Sequence, residues 1–157
     1  MNMVSTPNIF SLVKGAGEGR MLLNAFDQAL LNAGVGDTNL VRMSSIVPPG
    51  ATERERISLP FGGLIPVAYA HIDSDLPGEI ISAAIAVALP VDPALPGVIM
   101  EFEARAPLSV VEAKVRQMAE DAFSYRNREL REIKTTGVEH TVKECGAVFA
   151  GAVLWYE

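Results

Sequence analysis

Asn39-Leu-Val-Arg-Met-Ser-Ser-Ile-Val-Pro-Pro49 combines an apolar strand pattern with two adjacent serines. Residues 39–46 predict a buried strand, because Gly36-Asp37 precedes them and Pro48-Pro49-Gly50 ends them. A Ser-Ser bond at the end of such a strand can cleave itself, because the Ser45 hydroxyl can attack the preceding carbonyl and give an ester. Elimination and hydrolysis then leave a ketone, a pyruvoyl group, at the new amino terminus. Serine pairs are also common in ordinary turns, so the rest of the chain has to distinguish the two interpretations.

The composition is that of an ordinary globular chain. Of 157 residues, 49% are hydrophobic and 20% are charged, which favours a single domain over residues 1–157 with a substantial core. The net charge is −6 and no basic block is present, which argues against a nucleic-acid partner. Cys145 is the single cysteine, so no disulfide can form within the chain and we expect a cytoplasmic location.

No segment is predicted to enter a membrane. Residues 1–7 lack the basic and then apolar pattern of a signal peptide. The most apolar stretch, residues 80–100, is interrupted by Pro90, Asp92 and Pro96. These interruptions favour two buried segments joined by a turn over a membrane span.

Hydrophobic periodicity predicts two helices and a series of strands around the serine pair. The helices are residues 21–33, ended by Gly34, and Leu108–Tyr125, begun by a Ser109/Glu112 capping box. The glycine-rich residues 15–19 predict a turn. Strands are predicted at residues 10–13, 64–72, 80–89, 97–103, 129–142 and 146–156. This content predicts an α+β sandwich in which helices cover one face of each sheet.

Two carboxylates are candidate functional groups. Asp27 lies among apolar residues of the first helix, where it either faces solvent or recognises a cationic group of a substrate. In the strand at residues 97–103, alternation places Glu101 and Glu103 on one face. One interpretation is that both carboxylates face solvent. The other is that Glu101 borders a closed pocket, where burial raises its pKa and lets it donate a proton.

The other reactive side chains form no recognisable site. His71 and His140 lack the spacing of a metal-binding pair, so we expect structural histidines and no metal. Cys145 has no evident activating neighbour and is expected to pack as a small hydrophobe. No G-x-S-x-G motif is present, which argues against a serine hydrolase.

Five segments carry a common signal, at residues 23–34, 39–49, 77–85, 99–103 and 138–156. Taken together and in order, they resemble the pyruvoyl-dependent arginine decarboxylase family over nearly the whole chain. They are Leu23-Asn-Ala-Phe-Asp-Gln-Ala-Leu-Leu-Asn-Ala-Gly34, Asn39-Leu-Val-Arg-Met-Ser-Ser-Ile-Val-Pro-Pro49, Pro77-Gly-Glu79 with Ile81-Ser-Ala-Ala-Ile85, Ile99-Met-Glu-Phe-Glu103, and Val138-Glu-His-Thr-Val142 with Ala152-Val-Leu-Trp-Tyr156. Any one of these segments alone is a weak signal, and their combination is specific.

The resemblance implies self-cleavage between Ser44 and Ser45 into a β chain, residues 1–44, and an α chain, residues 45–157. Ser45 becomes the covalent pyruvoyl cofactor. The implied fold is a four-layer αββα sandwich, and the implied assembly is a trimer of cleaved protomers with active sites between them. Asp27 is implied to bind the guanidinium of the substrate, Asn39 to position the reacting groups, and Glu101 to donate a proton.

The implied reaction converts L-arginine to agmatine and carbon dioxide. The substrate amine forms a Schiff base with the pyruvoyl ketone, which acts as an electron sink. Two alternatives remain open at this stage. The chain could decarboxylate another amino acid, since specificity depends on few pocket residues, or it could be an uncleaved, non-enzymatic trimer.

Overall fold

The computed structural model describes residues 4–157, so residues 1–3 of the segment expected to lack a signal peptide lie outside the described residues. The described chain forms, in order, β1 (Ile9–Gly19), α1 (Leu22–Asn32), β2 (Asn39–Arg42), β3 (Ile46–Val47), β4 (Thr52–Glu53), β5 (Leu64–Ser74), β6 (Ile80–Pro90), β7 (Gly97–Ala104), α2 (Leu108–Tyr125), β8 (Leu130–Thr141) and β9 (Cys145–Trp155). Neither helix in this part of the chain has the length and apolar character needed to cross a bilayer.

The strands form two sheets. One has five strands in the order β2-β5-β9-β1-β4, and the other has four in the order β3-β7-β6-β8. The long pairs β1–β9, β5–β9, β6–β7 and β6–β8 are antiparallel, whereas the short edge strands β2 and β4 pair in parallel. Both β2 and β3 are edge strands, so the segment between them connects the edges of the two sheets.

Three clusters of buried side chains hold the elements together. The first combines residues of both sheets, including Phe10, Ile85 and Ile99. The second packs α2 against the four-stranded sheet, and the third packs α1 against the five-stranded sheet, with Ala25 and Ala29 against Phe149. The chain is therefore a small α+β domain with two helices and two sheets, and the predicted α+β class is confirmed.

The glycine-rich turn predicted at residues 15–19 is wrong, because β1 continues through Gly19. The alternate residues Gly15, Gly17 and Gly19 lie against α1, and an added Cβ would come within 2.2, 2.6 and 2.6 Å of its backbone. These glycines let the helix approach the strand closely rather than bend the chain. The sequence pattern resembled a turn because both features require residues without side chains.

The strand predicted at residues 39–46 is also only partly correct. The chain forms β2, leaves the five-stranded sheet after Arg42, and enters the four-stranded sheet as β3 at Ile46. Three of the four residues of β2 are exposed rather than buried. These residues are exposed because β2 is an edge strand, which lacks a neighbouring strand on one side.

The strand predicted at residues 10–13 is too short, because β1 extends to Gly19. The other predicted strands and helices are confirmed to within two residues, but the capping box of α2 is wrong. Helix α2 begins after Pro107, with no side-chain cap. The carboxylate of Glu139 on β8 instead accepts a hydrogen bond of 2.8 Å from the Leu108 N–H. A residue distant in sequence therefore satisfies the helix N-terminus, which local spacing could not reveal.

We expect Gly17→Ala to destabilise the protein by about 1–3 kcal/mol, because the new methyl group would overlap the backbone of α1. Chemical denaturation measures this difference. Lys14→Ala, an exposed substitution on the same strand, is the control and should change stability by less than about 0.5 kcal/mol. A gain in stability for Gly17→Ala, as replacing an unhindered glycine usually gives, would contradict the close approach.

Candidate functional site

The Ser44–Ser45 bond lies in the crossing between the two sheets. The Met43 N–H donates to the Val67 carbonyl at 3.2 Å, on the side of the five-stranded sheet. The Ser45 carbonyl accepts from the Ile99 N–H at 2.8 Å, on the side of the four-stranded sheet. The bond is therefore held from both ends by hydrogen bonds to different sheets.

Ser45 has a φ of 57°, in the left-handed region that non-glycine residues rarely occupy. Such a conformation costs about 1 kcal/mol or more and persists when the surroundings enforce it. The two flanking hydrogen bonds provide that enforcement. The strained residue is the second serine of the pair.

Glu101 lies on β7, two residues beyond the Ile99 amide that binds the Ser45 carbonyl, and on the same face of that strand. Its Oε1 accepts a hydrogen bond of 3.3 Å from Arg42 Nη2. Its Oε2 is buried and has no hydrogen-bond partner within residues 4–157. Buried side-chain oxygens usually have a hydrogen-bond partner, so the lack of one at Oε2 is unusual.

The environment of Glu101 favours its protonated form. Burial raises the pKa of the Glu101 carboxyl above its usual value, and the negative charge of Glu103 raises it further. The charge and hydrogen bond of Arg42 lower the pKa, but the net direction is upward. Of the two interpretations of the Glu101/Glu103 face, the solvent-exposed one fits Glu103, whereas Glu101 is partly buried.

Arg42 is a site residue that the sequence analysis missed. Its Nη2 donates to the Tyr69 carbonyl at 2.6 Å as well as to Glu101, and its guanidinium lies 4.4 Å from the centroid of the Tyr69 ring. The available signal was a single cation within the otherwise apolar run Leu40-Val-Arg-Met43. It was not decisive, because arginine is common on edge strands.

Asn39 begins β2, three residues before Arg42, and is exposed. Its side-chain Nδ2 donates to the Gly62 carbonyl at 2.8 Å, and its backbone N–H donates to the Gly63 carbonyl at 2.8 Å. These bonds hold Asn39 against the loop before β5. The structure therefore places Asn39 on the same edge as the serine pair.

The protomer does not bring Asp27 together with these residues. Asp27 is exposed on α1 and makes no hydrogen bond or salt bridge with the part of the chain that the structure describes. Helix α1 packs against β1, β5 and β9, whereas Glu101 lies on β7 in the other sheet. Within one protomer, Asp27 is therefore on the far side of the five-stranded sheet from Glu101.

An exposed apolar surface surrounds the start of β2. Phe61 is 89% exposed, Leu64 is 70% exposed and Val41 is 46% exposed. Leu64 is the register partner of Asn39, so this surface is continuous with the edge that carries the site. A concentration of large apolar side chains in water is typical of a surface that another protein covers.

Both histidines lie away from the serine pair. His140 Nε2 is 2.7 Å from Glu18 Oε1, and His71 stacks beside Phe26 and Tyr69. Within residues 4–157, no three side chains of His, Cys, Asp or Glu lie close enough together to hold a metal ion.

The residues present fit the pyruvoyl precursor that the sequence resemblance implies. Ser45 supplies the hydroxyl and the strained backbone, and Glu101 supplies a buried carboxyl oxygen with an unmet hydrogen bond beside it. Arg42 contacts Glu101, and Asn39 and the serine pair lie on the same stretch of chain as Arg42.

Comparison with known proteins places the chain in a family. The model of the family "Pyruvoyl-dependent arginine decarboxylase" matches residues 9–157. The chain is 52% identical over 151 residues to a pyruvoyl-dependent arginine decarboxylase of Methanocaldococcus jannaschii, covering 96% of this chain and 92% of that protein. It is 45% identical to one of Methanococcus maripaludis with the same coverage, and 39% identical to one of Pyrococcus abyssi, covering 97% of each chain. The chain belongs to the pyruvoyl-dependent arginine decarboxylase family.

Proposed function

We propose that this protein cleaves itself between Ser44 and Ser45 and then decarboxylates L-arginine to agmatine and carbon dioxide. Family membership makes it a lyase-type decarboxylase with a covalently bound pyruvoyl group. The observation that carries the proposal is the buried, unpartnered Oε2 of Glu101 beside the strained Ser45. The raised pKa of this carboxyl favours the protonated form that a proton donor needs.

In the proposed cleavage, Ser45 Oγ attacks the carbonyl carbon of Ser44, and the amide becomes an ester. Elimination then releases Ser44 as a free carboxylate and leaves a dehydroalanine at residue 45. Hydrolysis converts it to the pyruvoyl group with loss of ammonia. The left-handed φ of Ser45 supports this sequence, because relief of strain favours leaving the starting state.

The proposed fragments, residues 1–44 and 45–157, remain bound to each other. The first fragment contributes β1, which lies between β9 and β4, and β2, which pairs with β5. All three partner strands belong to the second fragment. The five-stranded sheet therefore consists of strands from both fragments, and cleavage removes one peptide bond without exposing the core.

We propose that the layers of this single domain, residues 1–157, follow the order α1, five-stranded sheet, four-stranded sheet, α2. The three buried clusters support this αββα order, because one lies between the sheets and one lies under each helix. The arrangement makes the crossing at Ser44–Ser45 a connection between the two inner layers.

We propose a trimer of cleaved protomers with active sites at the protomer interfaces. The exposed apolar surface around Phe61, Leu64 and Val41 supports a covering partner. The exposed Asp27 supports it independently, because a neighbouring protomer can bring its Asp27 to a site that its own sheet separates from it. A cytoplasmic enzyme with a single cysteine is compatible with this assembly.

Once formed from Ser45, the pyruvoyl group would supply the electron sink for the decarboxylation. The side chains of this chain do the rest. The carboxylate of Asp27 pairs with the planar guanidinium through two hydrogen bonds, which an ammonium cannot reproduce. Asn39 positions the reacting groups at the edge of β2. Glu101, protonated, delivers its proton to the former α-carbon.

We expect intact-mass spectrometry of the purified protein to find two fragments that meet at Ser44 and Ser45, with the larger one blocked at its amino terminus. Ser45→Ala removes the attacking hydroxyl and should give one chain of 157 residues. Ser124→Ala, on the exposed side of α2, is the control and should cleave normally. A wild-type protein that remains one chain would refute the proposed maturation.

We expect Glu101→Gln to cleave but to lose decarboxylation by about 100-fold or more, because an amide cannot replace a carboxylic acid as proton donor. In the wild type, kcat should fall as pH rises through the pKa of Glu101, since the donor acts protonated. Burial raises that pKa, so activity should extend to higher pH than an ordinary glutamate allows. Carbon dioxide release across a pH series measures both effects.

The matched control is Glu103→Gln on the same strand and face. It should retain most of the activity, with the alkaline limit moved to lower pH, because Glu103 helps to raise the pKa of Glu101. Equal losses in the two variants would assign proton donation to another group.

We expect Asp27→Asn to cleave normally and to raise the KM for arginine by at least about tenfold, because the guanidinium loses its charged partner. Asp121→Asn, the equivalent change on α2, should leave the KM unchanged. Assays with arginine, ornithine, lysine, histidine and aspartate test specificity in the same series. An unchanged KM for arginine in Asp27→Asn would remove Asp27 from the substrate site.

A further inference from the structure

Several contacts hold the side chain of Arg42 in place although it lies at the surface. It is 51% exposed, yet its guanidinium contacts the Tyr69 carbonyl at 2.6 Å, the Tyr69 ring at 4.4 Å and Glu101 Oε1 at 3.3 Å. A half-exposed ion pair contributes little to stability by itself. The contacts to Tyr69 instead fix the direction from which Arg42 meets the carboxylate.

This contact determines how the two oxygens of Glu101 differ. Oε1 accepts the hydrogen bond from Arg42, and Oε2 is buried without a partner in the described chain. Because Arg42 donates and cannot accept, a proton on Glu101 is directed to Oε2. The carboxyl is thereby held in a single orientation with the proton-bearing oxygen on the buried side.

We propose that Arg42 is a positioning residue of the decarboxylase: its guanidinium, fixed by Tyr69, holds Oε1 of Glu101 so that Oε2 presents the proton to the substrate. This inference rests on the proposed function. Arg42 acts through Glu101 and not on the substrate. The contact also joins the two proposed fragments, because Arg42 lies two residues before the cleaved bond while Tyr69 and Glu101 belong to residues 45–157.

Lysine cannot substitute for Arg42 in this role. The planar guanidinium lies over the Tyr69 ring while its Nη2 donates to the Tyr69 carbonyl and to Glu101, whereas an ammonium is a compact point charge without a planar face. Lysine therefore keeps the charge beside Glu101 but not the fixed direction. The two effects of Arg42, charge and orientation, can be separated by comparing Arg42→Lys with Arg42→Gln.

The charged and titratable groups that face Glu101 determine in which direction a change of charge shifts its pKa. Arg42 lowers the pKa of Glu101, while burial and Glu103 raise it. Tyr69 meets Arg42 from β5, and the β6 neighbour of Glu101 in the sheet is the apolar Ile85. Removing the charge of Arg42 should therefore raise the pKa of Glu101 further.

The first test measures this coupling without the cofactor. In the uncleavable Ser45→Ala protein, the carboxyl of Glu101 is followed by carbon-13 NMR of labelled glutamate, with its signal assigned by its loss in Glu101→Gln. Adding Arg42→Gln should move the titration to higher pH, and adding Arg42→Lys should move it less. Arg105→Gln, which removes a comparably exposed arginine from Glu79, should not move it. An unchanged titration in Arg42→Gln would overturn the proposal.

The second test uses the cleaved enzyme with arginine. Arg42→Gln should lower kcat by about tenfold or more with KM within about threefold, and move the alkaline limit to higher pH. Arg42→Lys should lower kcat with the alkaline limit near that of the wild type. Arg105→Gln should match the wild type in both. An unchanged kcat, or a loss through KM alone, in Arg42→Gln would overturn the positioning role.

The two tests separate the proposals. A wild-type protein that cleaves but does not decarboxylate arginine would refute the proposed function, and with it the assignment of Arg42 to that reaction. The NMR titration would still decide whether Arg42 controls Glu101. A shifted titration together with an unchanged kcat would refute the positioning role alone.

Discussion

The crossing of the chain from one sheet to the other at residues 43–46 is the constraint on which the rest of the site depends. Two backbone hydrogen bonds, from Met43 to Val67 and from Ile99 to Ser45, fix its ends to different sheets. The three residues between β2 and β3 must then turn sharply, and Ser45 takes the left-handed conformation that closes the gap. The core of both sheets therefore contributes the free energy that maintains strain at this peptide bond.

The same crossing positions the proposed proton donor, Glu101. Because Ile99 binds the Ser45 carbonyl, Glu101 on the same strand is two residues away, and the side chain of Arg42 before the crossing reaches it. Burial disfavours the charged form of Glu101 and Arg42 favours it, and burial prevails. The pKa of the carboxyl is thus raised above its usual value while a cation contacts one of its oxygens. A more exposed carboxyl would have a lower pKa, and one without Arg42 could rotate.

Local pattern predicted most of the fold, because long apolar strands and the periodic α2 carry strong signals in sequence. It failed where the conformation or contacts of a residue depend on an element that is distant in sequence. Gly15 to Gly19 continue a strand because α1 approaches them, and α2 is capped by Glu139 from β8. The serine pair and Glu101 could be singled out by residue type and resemblance. Arg42 could not be singled out, because its proposed role depends on contacts with Tyr69 and Glu101, which are distant in sequence.

The candidate site residues lie on two separate surfaces of the chain. Glu101, Arg42 and Ser45 belong to the edge where the two sheets meet, whereas Asp27 lies on the outer side of α1, which glycines pull tightly onto the five-stranded sheet. Tight packing of α1 leaves no freedom to bring Asp27 around that sheet. If Asp27 binds the substrate at the serine pair, the carboxylate has to come from a neighbouring protomer. In that case the exposed apolar surface beside β2 offers a contact area for that neighbour.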